Sequence, residues 1–225
     1  MANAAYDVWL FDLDGTLIDI EPDHPRWVFD EIGDRLGRDF SDQEVRILWH
    51  GLGGPRNEQL REWGIDPGPF WEAFHEIEDP IRRAEATYLY DDAERLIASL
   101  DRPVGLVTHS QTHLTEAALD HLDIADWFDT VVCCDDEIGW KPDPDPVHLA
   151  LSDLGVAGNG HDGVFVGDSP GDVGAAWNAG LDAAHVERFD PHVRGQCVRA
   201  DHRVDRLDDL WALAGTADSG SEDAG

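Results

Sequence analysis

The stretch Val8-Trp9-Leu10-Phe11-Asp12-Leu13-Asp14-Gly15-Thr16 decides how this chain is read. Four consecutive apolar residues match a strand buried on both faces, as in a parallel sheet. Two carboxylates and a glycine follow at once. Carboxylates at the C-terminal end of such a strand lie at the sheet edge where open α/β proteins bind ligands. Asp12 and Asp14 stand two residues apart and so share one side of an extended chain. The spacing alone carries little, because 34 Asp in 225 residues yield about five such pairs by chance, and Asp143 and Asp145 form another. Position directly after a strand and before Gly-Thr sets the first pair apart.

Working outward, four further apolar runs end in turn residues, at 104–107, 130–134, 164–166 and, more weakly, 183–186. Helical spacing of apolar residues covers 91–100, 112–122, 146–154 and 172–179, with Gly155 and Gly180 as helix stops. This alternation predicts an α/β fold, a Rossmann-like three-layer core around a parallel sheet. Residues 18–87 interrupt it. They are too many for a crossover helix and hold no convincing strand run. They do hold a capping box, Ser41-Asp42-Gln43-Glu44, and apolar residues Phe70, Trp71, Phe74 and Ile77 at helical spacing. The expected organisation is a core of residues 1–17 and 88–214, an inserted all-helical cap of 18–87, and a disordered acidic tail at 215–225. Trp27, Trp49, Trp63 and Trp71 are assigned to the core of that helical insert.

Composition excludes several classes. Asp and Glu number 48 against 16 Lys and Arg, a formal net charge of −32. Phosphate backbones and anionic membranes would be repelled by such a surface, so no nucleic-acid or membrane partner is expected. With 42% hydrophobic residues and nine Trp, the chain is not a disordered acidic polymer. No run approaches the ~20 apolar residues of a membrane span, and residues 1–6 lack the features of a secretory signal. Cys133, Cys134 and Cys197 read as free thiols. A cytoplasmic protein, monomer or homodimer, is expected. Of the 16 cations 15 are Arg, and Lys141 is the only lysine. An acid-rich, lysine-poor surface suits molar salt, where charges are screened within ~3 Å.

Three more strand ends bring polar residues to the same edge. One gives Thr108-His109-Ser110, another Gly167-Asp168-Ser169-Pro170-Gly171-Asp172, and beyond the third strand lies Gly139-Trp140-Lys141-Pro142-Asp143-Pro144. Four carboxylates, one hydroxyl and the single lysine converge.

In order and spacing, these segments resemble the haloacid dehalogenase superfamily, over about residues 6–190. The match consists of Asp-x-Asp-Gly-Thr, a Thr after the second strand, a Lys before Pro, and Gly-Asp-x-x-x-Asp. The 18–87 insert resembles the family's small helical cap. The resemblance implies that Asp12 is the nucleophile and Asp14 the general acid and base. It further implies Mg²⁺ held by the Asp12 carboxylate, the Asp14 backbone carbonyl and Asp168, with Asp172 close by or acting through water. Thr108 and Lys141 would bind the phosphate, and His109, where relatives often carry Asn or a small residue, borders that pocket as a structural histidine or a substrate contact. The residue types suit this chemistry: a carboxylate attacks phosphorus without a deprotonating base, and clustered carboxylates call for a hard cation and for Lys141 to balance their charge. Asp172 also reads as the cap of its own helix.

The implied activity is Mg-dependent hydrolysis of a small phosphorylated metabolite. A sugar phosphomutase is the alternative on the same core. Retention of Asp14 argues against a dehalogenase, and the intact motifs argue against a non-catalytic binding module. Specificity is assigned to the cap, where His50 and Arg56 flank the loop Gly51-Leu52-Gly53-Gly54-Pro55. Arg56 reads either as a partner for a substrate carboxylate or as a solvated surface arginine.

Overall fold

The computed structural model describes residues 6–156, 162–195 and 197–213. In chain order its strands are Val8–Phe11 (β1), Ile18–Ile20 (β2), Thr87–Leu89 (β3), Val104–Thr108 (β4), Thr130–Cys133 (β5), Gly163–Gly167 (β6), Asp182–Val186 (β7) and His202–Val204 (β8). The helices are Asp23–Leu36 (α1), Asp42–Trp49 (α2), Arg56–Glu62 (α3), Pro67–Ile77 (α4), Pro80–Ala86 (α5), Asp91–Ile97 (α6), Thr112–Leu122 (α7), Asp145–Asp153 (α8), Pro170–Ala179 (α9) and Pro191–Arg194 (α10).

Six strands form one parallel sheet in the order β5-β4-β1-β6-β7-β8. Period-2 alternation along β1 feeds two helical layers. Trp9 and Phe11 pack with Leu96 of α6 and Ala118 of α7. Val8 and Leu10 pack with Val147 of α8 and Val173 of α9 on the other face. Each fully buried side chain of this size contributes ~1.5–3 kcal/mol. The expected α/β architecture is therefore the observed one.

Two features depart from expectation. A sixth strand, β8, extends the sheet beyond the five runs read from sequence. Residues 18–87 are not wholly helical: α1 to α5 are preceded by β2 and followed by β3, which pair antiparallel with Ile18 opposite Leu89 and Ile20 opposite Thr87. Three residues are too few for period-2 patterning to register. The capping box at Ser41 and the helix through Phe70, Trp71, Phe74 and Ile77 are present.

The five helices enclose their own apolar cluster around Phe29, Ile32, Leu60 and Phe70, with Trp27, Trp49, Trp63 and Trp71 packed half-buried at its periphery. Helix α5 leans on α7 of the core. Cys133, Cys134 and Cys197 are free, and the expected disordered tail lies outside the described residues. Among the described residues, no helix is long and apolar enough to cross a membrane.

Candidate active site

Because β1 lies between β4 and β6, Asp12 after β1, Thr108 at the end of β4 and Asp168 after β6 come side by side. The Asp12 N–H donates to the Val166 carbonyl at 2.9 Å, which ties the turn after β1 to the neighbouring strand. Lys141 arrives on the loop before α8. Its ammonium lies 2.6 Å from Asp12 Oδ1, 2.7 Å from Asp172 Oδ1 and 3.0 Å from the Val107 carbonyl. Asp12, Lys141, Asp168 and Asp172 are all buried.

Asp172 caps its own helix, one of the two roles read from the sequence. Its Oδ2 accepts from the Ser169 N–H at 2.9 Å and the Ser169 hydroxyl at 2.7 Å, closing a capping box on α9. Its other oxygen faces Lys141. Two glycines make room for the cluster. Gly15 has φ +78°, and a Cβ there would lie 2.8 Å from Asp168 Oδ2. A Cβ on Gly167 would collide with the Asp172 side chain.

One oxygen each from Asp12, Asp168 and Asp172 lies within 4.8 Å of the others. Burial pushes the Asp12 carboxyl above the usual range against the pull of Lys141, and burial with the Asp172 charge lifts Asp168 to about 6. Lys141 is held above the ordinary lysine value by Asp12 and Asp172, although burial opposes this. The site thus carries an excess of confined negative charge on hard oxygen donors. That donor set fits Mg²⁺.

Thr108 is buried, and its Oγ1 accepts from the Ser110 N–H at 3.0 Å. His109 stands beside it with its ring edge-on to Trp140, centroids 5.4 Å apart. Partial desolvation and the charges of Lys141 and Arg56 hold its imidazole well below the usual histidine range, so it is neutral near pH 7.

The insert contributes the facing wall. Arg56 donates from Nε to the Leu48 carbonyl and from Nη2 to the Trp49 carbonyl, both at 2.7 Å, at the C-terminal end of α2. Its charge is felt by Asp168, Asp14 and Asp12. It is a fixed, half-buried guanidinium, not a solvated surface arginine. The His50 ring packs 4.7 Å from that of Phe189, and its Nδ1 lies 4.0 Å from Asp19 Oδ1. The loop between them reaches the core, where the Gly53 N–H donates to the Arg194 carbonyl at 2.8 Å.

Asp14 does not join the other three carboxylates. Its side chain turns to the insert, with Oδ1 2.7 Å from Arg83 Nη2. Arg83, its partner Glu78, and Arg194, 3.3 Å from Asp168 Oδ2, are residues that the sequence reading missed. Charge balance read from sequence counted Lys141 and a divalent cation; Arg83 and Arg194 add to it. Each is one Arg among 15 with no local motif around it.

Residues 6–180 match the family model described as haloacid dehalogenase-like hydrolase. The phosphoglycolate phosphatase of Escherichia coli K12 is 31% identical over 196 residues, covering 76% of this chain and 77% of that one. The Yersinia pseudotuberculosis phosphoglycolate phosphatase is 30% identical over 186 residues, covering 76% of each. Among solved structures, CbbY of Rhodobacter sphaeroides in complex with phosphate superposes with a TM-score of 0.71 at 26% identity, covering 94% of this chain and 99% of that one. The family match spans the site's strand ends, from β1 through α9, and the chain belongs to the haloacid dehalogenase-like hydrolases.

Proposed function

We propose that this enzyme is a Mg²⁺-dependent phosphatase that hydrolyses a small phosphomonoester through an aspartyl-phosphate on Asp12, and that it works in a salt-loaded cytoplasm. The observation that carries this reading is the buried cluster of Asp12, Asp168 and Asp172, with Lys141 bridging Asp12 and Asp172, at a sheet edge walled by Arg56 and Arg83. The kinship with phosphoglycolate phosphatases supports it.

In the first step an Asp12 oxygen forms a bond to phosphorus as the ester P–O bond breaks, and Asp14 gives its proton to the leaving oxygen. In the second, Asp14 takes a proton from water, which attacks the aspartyl-phosphate and releases phosphate and Asp12. Asp12, Asp168 and Asp172, with the Asp14 backbone carbonyl, would hold Mg²⁺. When bound, that ion neutralises phosphoryl charge as a Lewis acid. Lys141 favours the ionised form of Asp12 and aims it, and Thr108 with the adjacent N–H groups receives the phosphoryl oxygens. His109, neutral, lines the pocket.

The substrate class follows from Arg56. Two of its nitrogens are anchored to backbone carbonyls, so its charge is held in place with little further loss of side-chain freedom. A monoester with a second anionic group, a phosphoglycolate-like acid, meets that charge. His50 borders the same wall. We read residues 18–87 as the cap that closes over this substrate.

The test is phosphate release from a panel of acidic and neutral phosphomonoesters in molar KCl, with Mg²⁺ and with EDTA. Release with Mg²⁺ alone, abolished by Asp12→Asn without loss of the fold, is expected. Turnover by Asp12→Asn, or no release from any ester, overturns the reading.

A further inference from the structure

Arg83 is only 7% exposed and divides its guanidinium between two carboxylates. Nη1 donates to Glu78 Oε1 at 2.6 Å and Nη2 to Asp14 Oδ1 at 2.7 Å. Glu78, at the end of α4, is as deeply buried, with His24 Nε2 3.9 Å away. The ring of Trp49 lies under the guanidinium, 5.5 Å from its centre. The Thr87 hydroxyl donates to the Arg83 carbonyl at 2.8 Å and fixes the end of α5. Two successive helices of the insert therefore hold one rigid fork. A planar guanidinium cannot move one arm without the other, so the Glu78 contact dictates where Nη2 points.

Glu78 alone would neutralise a buried arginine within the insert. The second arm instead leaves the insert and ends on a core residue 69 positions earlier. The Asp14 side chain is half-exposed and, among the described residues, makes no other hydrogen bond. A carboxyl that must meet a leaving oxygen gains from a fixed rotamer, since misplacement of a catalytic group lowers the rate steeply.

We propose that Arg83, braced by Glu78, is the positioning residue of Asp14 and sets the carboxyl in line for proton transfer to the leaving oxygen. The inference rests on the phosphatase reading above. Arg83 touches Asp14 and not the reacting atoms, so its loss falls on proton delivery and spares substrate binding.

The experiment compares kcat/KM, which reports the steps up to phosphoryl transfer, for an alkyl phosphate and for 4-nitrophenyl phosphate, whose leaving group departs as a stable anion. Arg83→Gln is expected to lose about 10²-fold on the alkyl ester through kcat, and less than about threefold on the aryl ester. Arg83→Lys should restore part of the loss, and Glu78→Gln should show the same selective pattern at smaller size. Equal losses on both esters, or a change confined to KM, overturn the assignment. A crystal structure of Arg83→Gln, or of Glu78→Gln should the first variant not fold, gives a readout free of turnover. Asp14 should leave its wild-type position, and an unmoved carboxylate overturns the proposal. Inactivity of the wild-type chain on both esters would instead defeat the phosphatase reading, and the crystallographic arm would still decide on Arg83.

Discussion

The Lys141 ammonium lies 2.6 Å from Asp12 and 2.7 Å from Asp172, so the chain's one lysine bridges two buried carboxylates at once. Removing one partner of a buried ion pair typically costs ~3–5 kcal/mol, because the other charge stays desolvated. Lys141→Ala should lower the melting temperature clearly in EDTA and cut kcat by about 10²–10³. Lys141→Arg should rescue neither, since a branched guanidinium cannot occupy the point that makes these two contacts and a third to the Val107 carbonyl. Full activity of the arginine variant would refute a specific demand for a compact ammonium.

A cation bound by Asp12, Asp168 and Asp172 stabilises the native state alone. Mg²⁺ at a hundred times its dissociation constant should add ~2.7 kcal/mol of stability, visible as a rise in melting temperature. EDTA should reverse the rise, and Asp168→Asn should diminish it strongly. A melting curve indifferent to Mg²⁺ would dismiss the cluster as a metal site.

For Arg56, hydrogen bonds to charged groups contribute ~1.5–3 kcal/mol, so Arg56→Ala should raise KM for an acidic monoester about 10- to 100-fold. KM for a neutral ester should stay within about twofold, as no charged contact is lost. Steady-state kinetics on the two substrates tests this directly. Equal effects on both would reassign the guanidinium to holding the end of α2.

Self-repulsion within a chain of net charge −32 is relieved as the Debye length falls from ~10 Å at 0.1 M salt to ~3 Å at 1 M. Thermal unfolding should therefore move upward from dilute buffer to molar KCl. Insensitivity to KCl over that range would separate the acidic composition from any adaptation to salt.

What was legible in the sequence was whatever leaves a local pattern. β1 announced itself as four buried apolar residues, and the Asp12, Lys141 and Asp168 segments carry fixed spacings tied to strand ends. β8, His202-Arg203-Val204, has no such signature, being a short, partly exposed edge strand with polar residues at two of its three positions. The ribbon of β2 and β3 pairs residues about seventy positions apart, beyond any periodicity. Arg83 and Arg194 were hidden for the same reason. An ion pair such as Arg83 with Asp14 is created by folding, and among many arginines and aspartates nothing local marks the two that meet. Arg56 was flagged by its place beside a glycine-rich loop, but only its hydrogen bonds to Leu48 and Trp49 show that it is fixed.

The ribbon of β2 and β3 has an evolutionary consequence. Because Ile18 pairs with Leu89 and Ile20 with Thr87, the chain leaves the parallel sheet and returns to it through a single port. The helices between are carried on two adjacent stems, and all six strands of the parallel sheet lie outside them. Selection can therefore exchange the inserted module while the sheet beneath it keeps its register.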